Sequence, residues 1–199
     1  MSKLETNTID TISGTSTLQV GSTNTSTITL GVSGDTINVP SGVTINNNGT
    51  QTGFGGVNTP AFSAERSSAQ SISAGTRTTI LFNNEFYDSS SAYDTSTGKF
   101  TPQTAGKYFV ISNVILQSGS NSNFSFGFAE LYKNSSVITE SVFDDRGDEN
   151  SRSHTAAPSA IVDMNGSSDF ILIQAYIAVN SGTPEVSNMS TFSAFKIIE

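Results

Sequence analysis

The chain has 199 residues, of which 35% are hydrophobic and 13% are charged, and this is too apolar for an acidic disordered tail. Its formal net charge of -8 argues against electrostatic binding to nucleic acid or to anionic lipid, because both require clustered Lys and Arg. The chain contains no cysteine, so we expect neither a disulfide nor a thiolate metal site.

No apolar run in the sequence approaches the ~20 residues that a membrane span needs. The first residues, Met1–Asn7, include one lysine with no apolar segment behind it, so no secretory signal peptide is predicted. We therefore expect a protein that is made in the cytoplasm of its host cell and does not insert into a membrane.

Residues 1–57 are rich in Thr, Ser, Asn and Gly, and their apolar residues recur with a period of two. Turn formers such as Gly34-Asp35 and Pro40-Ser41-Gly42 separate the apolar groups, which predicts very short strands joined by turns. Residues 13–20 resemble residues 33–39 with one residue deleted, and a period of about 20 indicates a stacked β-repeat array. A flexible linker is the alternative interpretation. The apolar groups are Leu18/Val20, Ile28/Leu30/Val32, Ile37/Val39 and Val43/Ile45.

One copy of residues 1–57 has too few apolar side chains to form a core, because ordering the backbone costs about 1–2 kcal/mol per residue. We therefore expect an extended shaft and attachment segment that is ordered only when three chains share their apolar residues. No period of 3.5 or 3.6 residues supports a coiled coil, and no Gly-X-Y period supports collagen. Residues 53–58 have the composition of a hinge or neck.

Longer candidate strands follow residue 60, and no helical pattern lies between them. Clusters of Ser, Asn, Gly and Asp separate the strands, as at 118–121 and 165–168. This organisation predicts that residues 58–199 form an all-β antiparallel sandwich or barrel. The candidate strands are 61–66, 78–83, 98–102, 106–117, 124–133, 136–143, 154–164, 169–179 and 190–198.

Two of these strands, 108–116 and 170–179, are largely apolar on both of their alternating faces. An antiparallel sandwich usually exposes one face of each strand to water. Since no helix is predicted to cover the outer faces, another copy of the chain is the expected cover. The sequence therefore predicts an obligate oligomer.

A motif with fixed spacing runs from Phe82 through Asp88, Tyr93 and Phe100 to Gly106-Lys107-Tyr108. This motif resembles the signature of the complement C1q-like family, and the closing strand of the chain is similar to that of the same family. The resemblance implies that about residues 60–199 form a ten-strand jelly roll of the C1q-like and tumour-necrosis-factor-like kind. It also implies that this jelly-roll head assembles as a tight homotrimer.

The resemblance and the apolar strands together indicate which residues fill the core or the trimer interface. These residues are Phe82, Tyr93, Phe100, Gly106, Tyr108, Phe124, Phe126, Tyr176, Phe192 and Phe195. Three positions depart from the family pattern. Val110 and Ser112 stand where large apolar or aromatic residues are usual, and Ala194 stands where glycine is frequent.

No arrangement of residues in the sequence predicts catalysis. His154 is the only histidine, and the nearby Ser151, Ser153 and Asp148 are ordinary loop residues, so we expect no catalytic triad. No phosphate-binding loop and no zinc-ligand spacing is present. The chain is therefore predicted not to be an enzyme and to need no cofactor or metal.

Four aromatic residues alternate along one predicted strand: Phe124, Phe126, Phe128 and Tyr132. Such a stripe fits either a glycan-stacking platform or a core or trimer-interface stripe. The second interpretation is the better one, because alternating aromatic residues in a sandwich usually pack against another layer.

Three polar loops are candidates for recognition, since a rigid β scaffold usually carries binding residues on its loops. The loops are Ser118–Asn123, Asp144–Arg152 and Asn180–Asn188. The second loop concentrates acidic side chains in a chain with few charges. Its carboxylates could bind calcium, but they lack the spacing of an EF-hand, and a solvated loop is the better interpretation. The candidate receptor contacts are Asp144, Asp145, Arg146, Asp148 and Glu149.

A Thr/Ser-rich β-repeat shaft joined to such a head resembles a fibre protein of a tailed bacteriophage, by analogy of architecture. We therefore expect a homotrimeric virion fibre or spike. Its N-terminal segment would bind other virion proteins, and its head would bind a host-surface glycan or protein or decorate the particle. Two alternatives stay open: a bacterial surface or spore-coat trimer with the same head, and a fibre-borne glycan depolymerase that uses paired carboxylates.

Overall fold

The computed structural model describes residues 20–21, 23–46, 48–49, 58–119, 122–146 and 151–197. The chain divides into two compact units, Met1–Gln51 and Thr52–Glu199. The boundary predicted at residue 57 lies outside the described residues.

Two of the tight turns in the described part of the first unit lie where the sequence has turn formers. The Asp35 N–H donates to the Val32 carbonyl oxygen over 3.0 Å, and the Val43 N–H donates to the Pro40 carbonyl oxygen over 3.2 Å. The third residue of each turn is a glycine with positive φ, as type II turns require: Gly34 at 97° and Gly42 at 85°. These turns divide the described part of the unit into short extended segments.

None of the described residues of the first unit lies in a strand, so the short strands predicted there do not form within the described part of a single chain. The physical reason is that an extended segment needs a neighbouring strand for its backbone hydrogen bonds. The apolar side chains of these segments are 40–77% exposed: Val20, Ile28, Leu30, Val32, Ile37, Val39, Val43 and Ile45.

The second unit, over its described residues, is built from strands and contains no helix, as predicted. No described segment of the chain is a helix long and apolar enough to cross a membrane. The strands are β1 Ala61–Glu65, β2 Gln70–Ser71, β3 Thr78–Thr79, β4 Asn84–Asp88, β5 Tyr93–Asp94, β6 Lys99–Phe100, β7 Ala105–Gln117, β8 Phe124–Lys133, β9 Ser136–Asp144, β10 Ser153–Ala156, β11 Ser159–Asn165, β12 Ile171–Val179, β13 Glu185–Val186 and β14 Thr191–Lys196.

The strands form two antiparallel sheets. The first sheet has the order β2-β13-β7-β14-β1-β4, and β10 and β11 also pair with β7. The second sheet has the order β5-β6-β12-β8-β9, and β3 also pairs with β12. The predicted antiparallel sandwich is therefore confirmed, with the long strands β7, β8 and β12 at its centre.

Two of the predicted strands are divided in the structure. The predicted strand 154–164 splits into β10 and β11 at Pro158, because proline has no N–H to donate to the ladder. The predicted strand 78–83 is shortened: Thr78–Thr79 pairs with β12, and beyond it only the Ile80 N–H still donates to β12, at the Ile173 carbonyl oxygen over 2.9 Å. There the Leu81 N–H donates to the side-chain oxygen of Gln70 over 3.0 Å, so a side chain replaces a neighbouring strand.

The core lies between the sheets and contains a cluster of stacked aromatic rings. The Phe62 ring lies 4.5 Å from the Tyr93 ring, 4.6 Å from the Phe100 ring and 4.9 Å from the Phe192 ring, measured between centroids. Phe82 packs on Phe192 at 5.4 Å. The fixed spacing of aromatic residues in the sequence therefore brings rings from several short strands into one cluster.

Candidate functional site

The three polar loops named from the sequence meet at one end of the sandwich. The Arg152 guanidinium donates from Nε to the Gly119 carbonyl oxygen over 2.8 Å, which joins the first loop to the second. The Asn180 N–H donates to the Asn123 carbonyl oxygen over 3.0 Å, which joins the third loop to the first. The fold therefore brings the described parts of the three loops into one loop cluster.

The charged residues of the second loop are paired within the protein where the structure describes them. Arg146 makes a two-pronged salt bridge to Asp144, with Nε 2.7 Å from Oδ1, and this contact lowers the pKa of Asp144 to about 2. The Asp145 carboxylate contacts the imidazole of His154. Asp148 and Glu149 lie outside the described residues. The role of these five residues in receptor binding stays a prediction.

The His154 ring sits between two phenylalanines, stacked at 4.8 Å on Phe143 and tilted at 4.9 Å against Phe124. Its Nε2 contacts both Asp145 Oδ2 and Ser151 Oγ, the latter over 2.8 Å. A catalytic triad needs the carboxylate and the hydroxyl on opposite ring nitrogens. Since both partners share one nitrogen here, this group does not have triad geometry. The described residues also contain no cluster of three His, Cys, Asp or Glu side chains suited to a metal.

The outward face of the first sheet carries an uncharged patch, which we call the apolar face. Its centre is a row of cross-strand neighbours in which Ile161 lies opposite Phe109, and Phe109 lies opposite Phe195. The Phe109 and Phe195 rings are 5.6 Å apart. Ile111 and Tyr87 extend the patch, and Ile161, Tyr87, Ile111 and Phe195 are 60%, 52%, 37% and 37% exposed.

The two serine hydroxyls within the apolar face bond to each other. The Ser63 and Ser193 hydroxyls are 2.8 Å apart and lie on neighbouring strands between Tyr87 and Ile111. The patch therefore offers few unsatisfied polar groups to water or to a polar ligand. An exposed apolar patch of this kind is typical of a protein interface.

The outward face of the second sheet is different, because side chains of the same chain cover its aromatic rings. The Phe128 and Tyr176 rings stack at 4.9 Å with an interplanar angle of 3°, and Phe126 packs edge-on against both. The Arg77 guanidinium lies 4.9 Å above the Phe128 ring, and the Arg146 guanidinium lies 5.2 Å above the Phe126 ring. We call this surface the arginine–aromatic face.

Each arginine of the arginine–aromatic face also binds a carboxylate. Arg77 contacts Glu130 with Nε at 2.8 Å and Nη2 at 3.1 Å, and the Tyr132 hydroxyl donates to the same carboxylate over 3.2 Å. Glu130 is only 2% exposed, so it depends on these partners. The bond to Glu130 raises the pKa of Arg77. Arg146 and Asp144 form the corresponding pair. Asp144 lies opposite Phe126, which precedes Glu130 by four residues on β8.

The structure distributes nine of the ten predicted core or interface residues over three places, and the tenth, Gly106, lies near the start of β7. Six are buried in the core: Phe82, Tyr93, Phe100, Tyr108, Phe124 and Phe192. Phe195 lies on the apolar face, and Phe126 and Tyr176 lie on the arginine–aromatic face. Gly106 is the second residue of β7 and has φ 135°, and a Cβ there would lie 2.6 Å from Lys196 Cε.

The aromatic stripe predicted along β8 is divided between the core and the outward face. Phe124 is buried in the core, whereas Phe126 and Phe128 lie on the arginine–aromatic face. The reason is a register shift between β8 and β12. The adjacent residues Ala178 and Val179 of β12 pair with Phe126 and Phe124 of β8, which leaves one extra residue of β8 between the two pairs. The extra residue of this bulge reverses the alternation of side chains.

Sequence reasoning missed Phe62 and the Arg77–Glu130 pair. Phe62 precedes the recognised motif, although it contacts more rings of the core cluster than the motif residues do. Arg77 and Glu130 are 53 residues apart in the chain, so no local pattern connects them. The charge of Glu130 inside an otherwise aromatic stripe is the one signal that could have indicated a partner.

Comparisons with known proteins agree with the architecture. A family model described as "C1q domain" matches residues 61–197. The globular domain of the zebrafish complement 1qA protein is 17% identical, with 69% of this chain and 97% of that chain covered and a TM-score of 0.52. The Eiger TNF of S. frugiperda is 11% identical, with 69% and 90% covered and a TM-score of 0.51. These likenesses show a jelly roll of the C1q and TNF kind. A search of the curated proteins gives no match.

Proposed function

The chain belongs to the C1q domain family, and we propose that it is a homotrimeric fibre or spike protein of a tailed bacteriophage virion. In this proposal residues 58–199 are the head, residues 1–57 are the shaft and attachment segment, and the head mediates host attachment or decorates the particle. The observation that carries the homotrimer in this proposal is the apolar face, because four of its side chains are more than one third exposed in a single chain; the virion role rests on the analogy of architecture with phage fibres.

A cyclic trimer requires two different surface patches that are complementary, because each subunit contacts its two neighbours with different sides. The chain has a second apolar patch at the side of the sandwich where β9 and β11 are edge strands. This patch consists of Val137 and Ile138 of β9, which are 46% and 41% exposed. We assign the apolar face of one copy to contact this edge patch of the next copy. Both patches are uncharged, so their contact would leave no buried charge unpaired.

The first unit supports the same assembly. Its eight described apolar side chains are 40–77% exposed, and its backbone is divided by turns into extended segments. Extended segments gain backbone hydrogen bonds and cover their apolar side chains when parallel copies lie beside them. Three chains that share these residues would form the β-repeat shaft, which supports a fibre rather than an isolated head.

Recognition in this proposal is a property of the head surface that the trimer leaves accessible. The loop cluster and the arginine–aromatic face both remain outside the two apolar patches. The trimer presents each of these surfaces three times, so weak single contacts would add up through avidity.

Imaging of the phage particle tests the virion role. Antibodies raised against the full chain should label a tail or capsid fibre in negative-stain electron microscopy, and the purified chain should compete with phage for adsorption. Labelling of the host cell wall or spore coat in the absence of phage would instead support the bacterial surface protein. Release of reducing sugars from host polysaccharide would support the depolymerase.

A further inference from the structure

We propose that the arginine–aromatic face binds a neutral glycan of the host surface, an inference that rests on the proposed attachment function. The face lies on the second sheet, whereas the apolar face lies on the first, and it shares no residue with the edge patch of Val137 and Ile138. It places the planar donors of two arginines and the acceptor oxygens of their carboxylates on one surface, and the hydroxyls of a sugar can both donate and accept there.

The arginines hold their donors in fixed positions at the surface. Each guanidinium lies over a ring and is fixed by a carboxylate. The guanidinium donates to that carboxylate from Nε and Nη2, and its Nη1 takes no part in these contacts. The side chains of Arg77 and Arg146 are nevertheless 53% and 67% exposed. Donors that are already ordered lose little entropy when a ligand binds, so the face is preorganised.

The charges of the face select an uncharged ligand. Arg77 and Arg146 share the face with three carboxylates. Two of them, Glu130 and Glu140, lie directly opposite each other on β8 and β9, and the third is Asp144. Two positive and three negative groups leave one net negative charge, on a chain whose formal net charge is already -8. An acidic glycan would meet this negative charge, whereas a neutral hydroxyl can donate to a carboxylate oxygen and accept from an arginine N–H.

The spacing of the two arginine–carboxylate pairs indicates an oligosaccharide. The Arg146–Asp144 pair lies at Phe126, and the Arg77–Glu130 pair lies at Glu130, which is four residues further along β8. At about 3.3 Å per residue the pairs are about 13 Å apart, which exceeds a single sugar ring. Between the pairs lies Val142, which is 45% exposed and on which the C–H groups of a sugar can pack.

The test uses the full chain and a panel of immobilised neutral glycans (dextran, mannan, cellohexaose and chitohexaose) beside the acidic hyaluronate and polygalacturonate. We expect capture of one or more neutral glycans and of neither acidic one. Arg77→Lys and Arg146→Lys keep the charge but remove the planar donor fork, and each should weaken binding about tenfold. Lys99→Arg, at the cation that lies 4.2 Å over the Phe170 ring outside this face, is the control and should bind as the wild type does.

The same variants are then bound to host cells that have been treated with periodate, which oxidises vicinal hydroxyls, or with protease. Wild-type binding should be lost after periodate and survive protease. Unchanged glycan and cell binding by the double variant Arg77→Lys/Arg146→Lys would overturn the assignment of this face and leave attachment itself intact. The assignment of a neutral glycan as the ligand would be overturned if the chain captured only acidic glycans or no glycan at all. Loss of cell binding after protease treatment would overturn it as well. A wild-type trimer that binds no host cells would instead overturn the attachment function.

Discussion

Replacing Phe195 with glutamate should separate the subunits of the trimer while each subunit stays folded. Phe195 is 37% exposed in a single chain and lies in the central row of the apolar face. For a phenylalanine of about 200 Å², that fraction is about 70 Å², which corresponds to about 2 kcal/mol per subunit when a neighbour covers it. Three such contacts contribute about 5 kcal/mol, or roughly a 10⁴-fold change in the equilibrium constant. The carboxylate adds several kcal/mol of desolvation when it is buried.

Sedimentation velocity of the full-length Phe195→Glu variant checks this expectation, with circular dichroism to show that its strands are retained. The control is Ala178→Glu, which places a carboxylate on the outward face of the second sheet, opposite Phe126. The control should sediment as the wild type does, since that face is not part of the proposed contact. A Phe195→Glu variant that sediments and melts like the wild type would refute the assignment of the apolar face.

Three further predictions concern single side chains. Phe62→Ala should destabilise the head by about 3–5 kcal/mol, because it removes a buried ring with three ring neighbours; a loss below about 1 kcal/mol in urea unfolding would contradict the cluster. The Lys133 salt bridge lowers the pKa of Asp169 to about 2 from 3.8, so its stabilisation is present above about pH 4 and lost as the pH falls toward 2. Asp169→Asn should therefore reduce the fall in urea midpoint between pH 4 and pH 2, and an unchanged slope would count against this pair. Arg77→Ala should lower the melting temperature more than Arg77→Lys does, because alanine leaves the buried Glu130 without its cation; equal melting temperatures would show that Glu130 does not need it.

The strands of the head could be predicted from the sequence because most of them are long enough to show a period of two. The predicted strands 106–117, 124–133 and 136–143 differ by at most one residue at either end from β7, β8 and β9. The short strands could not be predicted in this way. A two-residue strand such as β13 has no period, and its position depends on pairing with Leu116 and Gln117 far away in the chain.

The candidate surfaces could be predicted only in part. The sequence showed that β7 and β12 are apolar on both faces, and the structure gives these outward faces different partners. Ile111 stays exposed and Phe109 half-buried, whereas Tyr176 is stacked on Phe128, whose ring Arg77 covers. That difference depends on which distant strands become neighbours. Local periodicity contains no information about such pairings.

The most direct test of the trimer is the mass of the full chain in solution. Light scattering after size-exclusion chromatography should give three times the chain mass of 20.9 kDa, or about 63 kDa, and this mass should persist at low micromolar concentration. The apolar face and the edge patch would then be covered by neighbouring copies. A folded, soluble species of 20.9 kDa at the same concentration would contradict the proposal, because both patches would remain exposed to water in a stable monomer.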